Sequence, residues 1–544
     1  MRALLPTWSE WKPAFLAPGT DLMAGLIVAL VALPLALGFG ISSGLGAAAG
    51  LATAIVAGAL AAVFGGSRFQ VSGPTGAMTV VLVPIVHEHG ASGVLTVGLM
   101  AGVLLVALAF AGVGRAVRFM PAPVIEGFTA GIAVVIALQQ FPGALGVSGA
   151  EGEKVWQSAI DAVRRFVEHP NATAPVTALV VAVVILIGGR FLPKLPFALV
   201  AVAVATVVGT VFDLDLARIG AIPAGLPAPS LSFVHADELT TLLLPALAVA
   251  TLAALESLLS ATAADAMAVG TRHDPDRELF GQGLANIAAP LFGGVPATGA
   301  IARTAVNVRS GARTRLAALT HAAILAGIVY LAAGLVADIP IAALAGVLLA
   351  TTVRMVETAS LAAIARASRG DAIVMLVTFL VTVAFDLVTA VVIGIGFALV
   401  LAVRAVAREA SLHQVPLDDS DHLGEEHDLL RDHIVAYRIE GPLFFAAAHR
   451  FLLELSEVAD VRVVILRMSR VTALDTTGAL VLADAVTKLQ HRHITVLMSG
   501  LREDHRTRLA AMDALPAGGD DAVFPDTGTA ITYARRFLPT HRTP

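Results

Sequence analysis

Phe64-Gly65-Gly66 leads to Gln70-Val71-Ser72-Gly73-Pro74-Thr75-Gly76-Ala77, and Phe292-Gly293-Gly294 leads to Val295-Pro296-Ala297-Thr298-Gly299-Ala300. The Phe-Gly-Gly copies stand 228 residues apart and the Thr-Gly-Ala copies 223 apart. Glycine and proline interrupt an apolar stretch in both places, which is the signature of a broken membrane helix. In each copy a short extended piece (69–71; 295–297) leads to a predicted helix start, at Pro74 or Thr75 in the first and at Thr298 in the second. The first turn of a helix has backbone N–H groups without intrahelical acceptors. Two such ends facing each other surround one pocket with donors and partial positive charge, an anion site that needs few charged side chains. Gly73, Gly76 and Gly299 would let a ligand approach the backbone closely.

Outward from these stretches the chain is strongly apolar. Hydrophobic residues make up 57% and charged residues 14% of its 544 residues, against about 45–50% and about 25% in soluble domains. That excludes disorder, a coiled coil and an ordinary water-soluble enzyme over most of the length. A net charge of −5 offers no basic surface for nucleic acid. With no cysteine, disulfides, zinc–thiolate sites and thiol catalysis are excluded. No nucleophile–base pair or metal-ligand cluster stands out, so the expectation is a non-enzyme with no metal and no cofactor. His87 and His89 flank Glu88, and a solvated loop is the simpler reading of that trio.

A spanning helix needs about 20 mostly apolar residues. Continuous candidates lie at 22–41, 46–64, 94–111, 122–138, 176–189, 196–212, 242–261, 317–336, 339–353, 372–386 and 387–403, and interrupted ones at 70–86, 282–293 and 298–308. These make fourteen spans, with the echoing stretches in the third and the tenth. Seven crossings separate the copies, an odd number, so the two halves have opposite orientations. The expected fold is a polytopic α-helical membrane protein with a seven-plus-seven inverted repeat, about 21–213 and 240–408 within a transport domain of 21–408. Alternating sides from a cytoplasmic N-terminus places 18 Lys and Arg, Arg303 among them, on the cytoplasmic side and four outside (Lys154, Arg164, Arg165 and Arg218), as the positive-inside rule requires. Residues 1–20 lack the apolar core of a signal peptide and read as an amphipathic lead-in helix on the cytoplasmic membrane surface.

The composition changes near Glu409. Before it 43 of 408 residues are charged, and from it onward 34 of 136, the density of a soluble domain. Residues 409–431 read as an acidic linker and 432–540 as a cytoplasmic α/β domain. Its predicted strands are 434–439, 461–466 and 494–498, with a helix at 478–490. Asp475-Thr476-Thr477-Gly478 falls at a strand-to-helix turn.

The chain resembles a bacterial sulfate permease (SulP) type anion transporter with a C-terminal STAS domain. The resemblance is carried by Ala24-Gly25-Leu26-Ile27-Val28-Ala29-Leu30 running into Leu33-Pro34, by Phe64-Gly65-Gly66-Ser67-Arg68 to Gly73-Pro74, by Gly127-Phe128-Thr129-Ala130-Gly131, by Glu256-Ser257-Leu258-Leu259-Ser260, and by Ala300-Ile301-Ala302-Arg303-Thr304-Ala305-Val306-Asn307. It implies core and gate domains within the inverted repeat, a homodimer, and a multi-pass protein of the bacterial inner membrane with both termini cytoplasmic. It also implies a substrate site at Ser72, Gly73, Thr75, Gly76, Thr298, Gly299, Ala300, Ile301, Ala302 and Arg303, lined from the first helix by Leu35 and Phe39. Two positions depart from the pattern: Leu35 stands where many relatives have Gln, and Ala302 where many have Ser. Recognition is thereby left mainly to backbone amides, Thr75, Thr298 and Arg303.

Glu256 lies deep in span 242–261, where an ionised carboxylate costs about 2.5–3.5 kcal/mol on insertion scales and needs a reason. The resemblance implies a cation-coupling role, with Ser260 one helical turn on and on the same side. The leading reading is a proton-coupled symporter of sulfate, bicarbonate or a C4-dicarboxylate, working by elevator-type alternating access. Sodium remains an alternative cation. A channel or exchanger of the same fold, a nucleobase permease and a membrane-tethered anion sensor are the other readings. Arg303 could attract the anion or neutralise Glu256. Glu126 near a cytoplasmic helix start reads as structural, and Asp265 and Asn307 as braces of helix ends. Thr476 and Thr477 match the phosphorylated loop of the STAS resemblance, a point where a cytoplasmic regulator would act; simple helix capping is the alternative.

Overall fold

The computed structural model describes residues 4–16, 18–115, 121–150, 152, 154–191, 196–268, 272–385, 387–409, 411–415, 433–443 and 461–537. The chain divides into two compact units, Met1–Ile395 and Gly396–Pro544.

The membrane-spanning part is built, in chain order, from α1 (Trp8–Leu16), α2 (Pro18–Ser42), α3 (Ala47–Phe64), β1 (Ser72–Gly73), α4 (Gly76–Phe110), α5 (Ala122–Gln139), α6 (Phe141–Leu145), α7 (Val155–Glu168), α8 (Thr173–Phe191), α9 (Phe197–Val211), α10 (Leu243–Met267), α11 (Pro275–Leu291), β2 (Thr298–Gly299), α12 (Ile301–Arg309), α13 (Leu316–Ala337), α14 (Ile341–Met355), α15 (Thr358–Ala367), α16 (Arg369–Ala384) and α17 (Leu387–Glu409). Helix α4 breaks at Gly90, whose φ of 64° takes it out of the helical region. Its two arms are the third and fourth predicted spans. Counted that way, α2, α3, α4, α5, α8 to α14, α16 and α17 supply the fourteen spans. Helices α6, α7 and α15 are additional short elements that hydropathy did not single out. Trp156, Ile160 and Val167 project from α7 as exposed apolar side chains beside its charges, the pattern of a helix lying in the membrane interface.

The spans pack as two bundles. One joins α2, α3, α4, α10, α11, α12 and α13, and the other joins α5, α8, α9, α14 and α16. Small residues set the closest approaches, as in other membrane bundles. A Cβ added at Gly102 of α4 would lie 2.6 Å from the Ile287 backbone nitrogen of α11, so only glycine lets these helices meet there. The lead-in helix α1 is tied to the first bundle by one carboxylate. Glu10 pairs with Arg277 at 2.7 Å and with Arg315 at 3.2 Å, while Arg315 Nη1 also donates to the carbonyls of Ala62, Gly65 and Ser67. Burial works against the Glu10 carboxylate. The hydrogen bond and charge of Arg277, with the charge of Arg315, outweigh it and hold the pKa at about 2.

The second unit carries a five-stranded sheet in the order β3 (Ser411–Val415), β4 (Ile434–Leu443), β5 (Val463–Leu474), β6 (Thr495–Ser499), β7 (Val523–Phe524). Strand β3 is antiparallel to β4 and the other pairs are parallel. Helices α18 (Thr476–His491), α19 (Glu503–Ala510) and α20 (Thr527–Ala534) accompany it. Leu482, Val486 and Leu489 of α18 pack with Leu466, Met468 and Met498 of the sheet. Strand β3 lies inside the stretch predicted as linker. Its pairing partner, residues 436–440, is more than 20 residues further along, which local composition does not reveal.

Candidate anion site at the helix crossover

The two interrupted spans meet as a two-stranded antiparallel ribbon, with Ser72 opposite Gly299 and Gly73 opposite Thr298. The extended pieces therefore run two residues further than predicted on both sides. Helix α4 starts at Gly76, close to the predicted start, but α12 starts at Ile301, three residues after Thr298. The ribbon leaves backbone groups that helices cannot satisfy at membrane depth, where each unpaired group costs several kcal/mol.

Side chains supply the missing partners. Thr53 Oγ1 donates to the Val295 carbonyl at 2.9 Å. Asn286 acts as a backbone mimic, donating to the Ala297 carbonyl at 2.9 Å and accepting from the Ala297 N–H at 2.8 Å. Asn307 Nδ2 donates to the Phe69 carbonyl at 2.8 Å, so it braces the extended piece and not a helix end. Thr304 Oγ1 accepts from Val71 N–H at 3.0 Å and Ser257 Oγ from Gly299 N–H at 2.9 Å. Gln282 Nε2 donates to Ser72 Oγ at 2.6 Å and to Glu278 at 3.0 Å, and Glu278 also accepts from Gln70. Sequence reasoning assigned no bonding role to Thr53, Ser257, Glu278, Gln282, Asn286 or Thr304. A signal was present: Glu278, Gln282 and Asn286 recur every four residues and form one polar stripe along α11.

Glu256 of α10 reaches the meeting point. Its Oε2 accepts from Thr75 Oγ1 at 2.8 Å and from Thr298 Oγ1 at 2.7 Å, and the two hydroxyl oxygens stand 3.2 Å apart. One carboxylate oxygen thus touches both copies of the echoing tripeptide. The carboxylate also sits where the amino-terminal ends of α4 and α12 converge, so it already occupies part of the positive field meant for an anion.

The predicted site residues gather here, with several corrections. Ser260 does not join Glu256. It is fully buried, and its Oγ donates to Thr304 Oγ1 of α12 at 3.1 Å. Arg303 is 1% exposed, and its Nη2 donates to the Pro74 carbonyl at 2.6 Å. From this buried position it braces the turn before α4, and its charge also acts on Glu256. Gly73 has a φ of 156°, a backbone conformation side chains rarely adopt, and a Cβ there would also lie 2.6 Å from Arg303 Nη1. The N–H of Gly299 is taken by Ser257, and that of Ala300 by the Val71 carbonyl at 2.9 Å, so neither is offered to a ligand.

Ser72, Gly73, Thr75, Gly76, Thr298, Gly299 and Ala300 are all buried. Phe39 is buried too, and its ring packs on the start of α4, where a Cβ at Gly76 would lie 3.1 Å from Phe39 Cε1 and 2.1 Å from Ile136 Cδ1. Ile136 belongs to α5 of the second bundle, so both bundles reach the site; hydropathy carried no sign of it. Only Ile301, 40% exposed, and Ala302 open outward.

Elsewhere, Glu126 accepts from Ser360 Oγ at 2.8 Å, and Asp265 pairs with His273 at 2.7 Å; both act between helix ends. Thr476 and Thr477 are exposed at the start of α18, where the capping oxygen is Asp475 Oδ1, accepting from Gly478 N–H at 2.7 Å.

Comparison with known proteins agrees with this architecture. Residues 19–378 match the sulfate permease family and residues 430–530 the STAS domain. YvdB of Bacillus subtilis (strain 168) is 35% identical over 500 residues, covering 90% of this chain and 92% of that one. The bicarbonate transporter BicA of Synechocystis sp. (strain ATCC 27184 / PCC 6803 / Kazusa) is 31% identical over 538 residues, 96% of this chain and 95% of its own. The solved transmembrane domain of a cyanobacterial BicA superposes with a TM-score of 0.64 at 34% identity, covering 68% of this chain and 97% of that domain. Murine Slc26a9, described as an anion transporter in the inward-facing state, shares the fold at 17% identity with a TM-score of 0.85 over 98% of this chain and 94% of its own. This chain belongs to the sulfate permease family and carries a C-terminal STAS domain.

Proposed function

We propose that the chain is a secondary active anion transporter that carries its anion together with a proton, and that Glu256 is the coupling group. The single observation that supports this is the place of Glu256, bonded to Thr75 and Thr298 where two helix amino-termini converge. An ionised Glu256 repels a second anion and holds both hydroxyls. Protonation removes that charge, and the positive field of the helix ends then favours an incoming anion. Proton and anion binding become mutually reinforcing, and by linkage each raises the affinity for the other. The substrate class is a small oxyanion or carboxylate: sulfate, bicarbonate or a C4-dicarboxylate. The BicA relatives are named as bicarbonate transporters, which makes bicarbonate the first to try. Movement of the first bundle against the second would carry the site across the membrane.

The test is uptake of labelled bicarbonate, sulfate and a dicarboxylate into proteoliposomes under an imposed pH gradient. Glu256→Gln keeps the shape and removes the titration, so proton-driven accumulation should vanish while exchange of anion for anion survives. A variant that still concentrates substrate with proton drive removes Glu256 from the coupling role. Accumulation that follows a sodium gradient instead would assign the Glu256–Thr75–Thr298 oxygens to sodium.

The orientation follows from the charge distribution, with both termini cytoplasmic and the loop before α7 outside. The chain has no native cysteine, so Ser148→Cys and Lys488→Cys report cleanly. In intact cells an impermeant thiol reagent should label the first and spare the second; the reverse pattern inverts the topology. Assembly as a homodimer with one site per protomer is part of the same reading, and a monomeric mass in mild detergent with full transport would refute it.

A further inference from the structure

We propose that a single phospholipid is held in the seam between the two helical bundles, its acyl chain inside and its phosphate on Lys154. The seam contains a cavity of about 440 Å³, within the size range of ligand pockets, about 300–1,000 Å³. Its walls come from the first bundle (Val81 of α4, Ala248 of α10) and the second (Leu138 of α5, Val383 of α16), apolar at these positions, with the hydroxyls of Thr382 and Thr389 beside them. The wall segments are the ends of the spans on the membrane face opposite α1: the distal part of the first arm of α4, the ends of α5 and α16 and the beginning of α10.

The mouth has a different chemistry. Lys154 and Trp156 line it on one side and Glu88 and His89, paired at 3.8 Å, on the other. Trp156 starts the interfacial helix α7, and tryptophan and lysine mark headgroup depth in membrane proteins. Lys154 Nζ leans 5.7 Å over the Phe385 ring and lies 3.5 Å from the Ala384 carbonyl, so the cation is held beside two residues of the cavity lining. An apolar slot entered past a cation at headgroup depth fits an acyl chain below a phosphate. A soluble anion would gain nothing from the apolar walls. This inference does not rest on the transported substrate or on Glu256.

The experiment is native mass spectrometry of the full chain purified in mild detergent and titrated with phosphatidylglycerol, phosphatidylethanolamine or diacylglycerol. Wild type should retain one phospholipid per chain and bind diacylglycerol about tenfold more weakly, since diacylglycerol has the chains without the phosphate. Lys154→Gln should remove most of that tenfold difference. Ala248→Phe fills the cavity and should abolish retention, and Val81→Phe from the facing wall serves if the first variant does not fold. In a Trp8→Phe, Trp11→Phe background, phosphatidylglycerol brominated along its chain should quench Trp156 saturably at one equivalent, and Ala248→Phe should remove the saturable part. Equal retention by wild type and a folded cavity-filled variant overturns the proposal. Equal affinity of wild type for phospholipid and diacylglycerol does the same.

Discussion

The first and second crossovers carry the same Thr-Gly-Ala tripeptide and use it differently. In the first, Thr75 is the helix cap: its Oγ1 accepts from Met78 N–H at 3.4 Å, and α4 begins at the next residue. In the second, Thr298 is a strand residue, and α12 begins after Ala300 with no side-chain cap. The start of α4 is buried under Phe39 and Ile136, whereas the start of α12 exposes Ile301 and Ala302. An inverted repeat is thus symmetric in topology and unequal in its site. One helix end is closed by its own side chain and by packing, and the other has no side-chain cap and exposes its first two residues.

That inequality can be broken by experiment. The largest effect is the loss of proton-driven accumulation in Glu256→Gln, because one oxygen of Glu256 bonds a threonine of each crossover. Next is the removal of one N–H from the open end. Proline is tolerated at the first position of a helix, and Ala300 before it is extended (φ −96°, ψ 110°), as a residue before proline should be. Ile301→Pro should raise the KM for the anion about tenfold over Ile301→Ala, the size of one lost hydrogen bond to a charged group, about 1.5–3 kcal/mol at most. Equal KM values for the two variants would mean that α12 does not offer its amide to the substrate.

The hydroxyls should separate as well. Thr75→Ala loses a cap and should destabilise the protein by about 1 kcal/mol, read as a lower midpoint in thermal unfolding. Thr298→Ala keeps every helix cap, so its unfolding midpoint should fall less while the pH dependence of transport shifts, since Glu256 loses one donor. Equal midpoints for the two variants would erase the distinction between capped and open ends.

The smallest effect concerns the clamp outside the site. The native-state pKa of Glu10, about 2, lies below the usual carboxylate value of 4.5, so its contribution to stability is present above about pH 4.5 and is lost as the pH falls toward 2. Glu10→Gln should cost on the order of 1 kcal/mol at pH 7 after allowance for solvent screening. The gap from wild type should narrow in acid unfolding between those pH values. A constant gap would show that packing of α1, and not its charge, holds the helix.

Much of this architecture was legible residue by residue. Hydropathy set the fourteen spans because a bilayer demands a long apolar run wherever a helix crosses, and that is a local property. Gly-Pro interruption located both crossovers, charge alternation suggested the orientation, and the jump in charge density at Glu409 marked the soluble domain. Glu256 stood out because a carboxylate inside an apolar run is costly wherever it lies.

The tertiary structure decided what depends on partners far along the chain. The three-residue delay before α12, the turn of Ser260 toward Thr304, the use of Arg303 as a brace for Pro74 and the capture of the Gly299 N–H by Ser257 are examples. So is the pairing of Ser411–Val415 as an edge strand inside an acidic stretch. Each is a choice between hydrogen-bond partners that local sequence leaves equally open. At membrane depth a backbone group takes the nearest donor or acceptor that packing brings within reach, and only the folded chain determines which one that is.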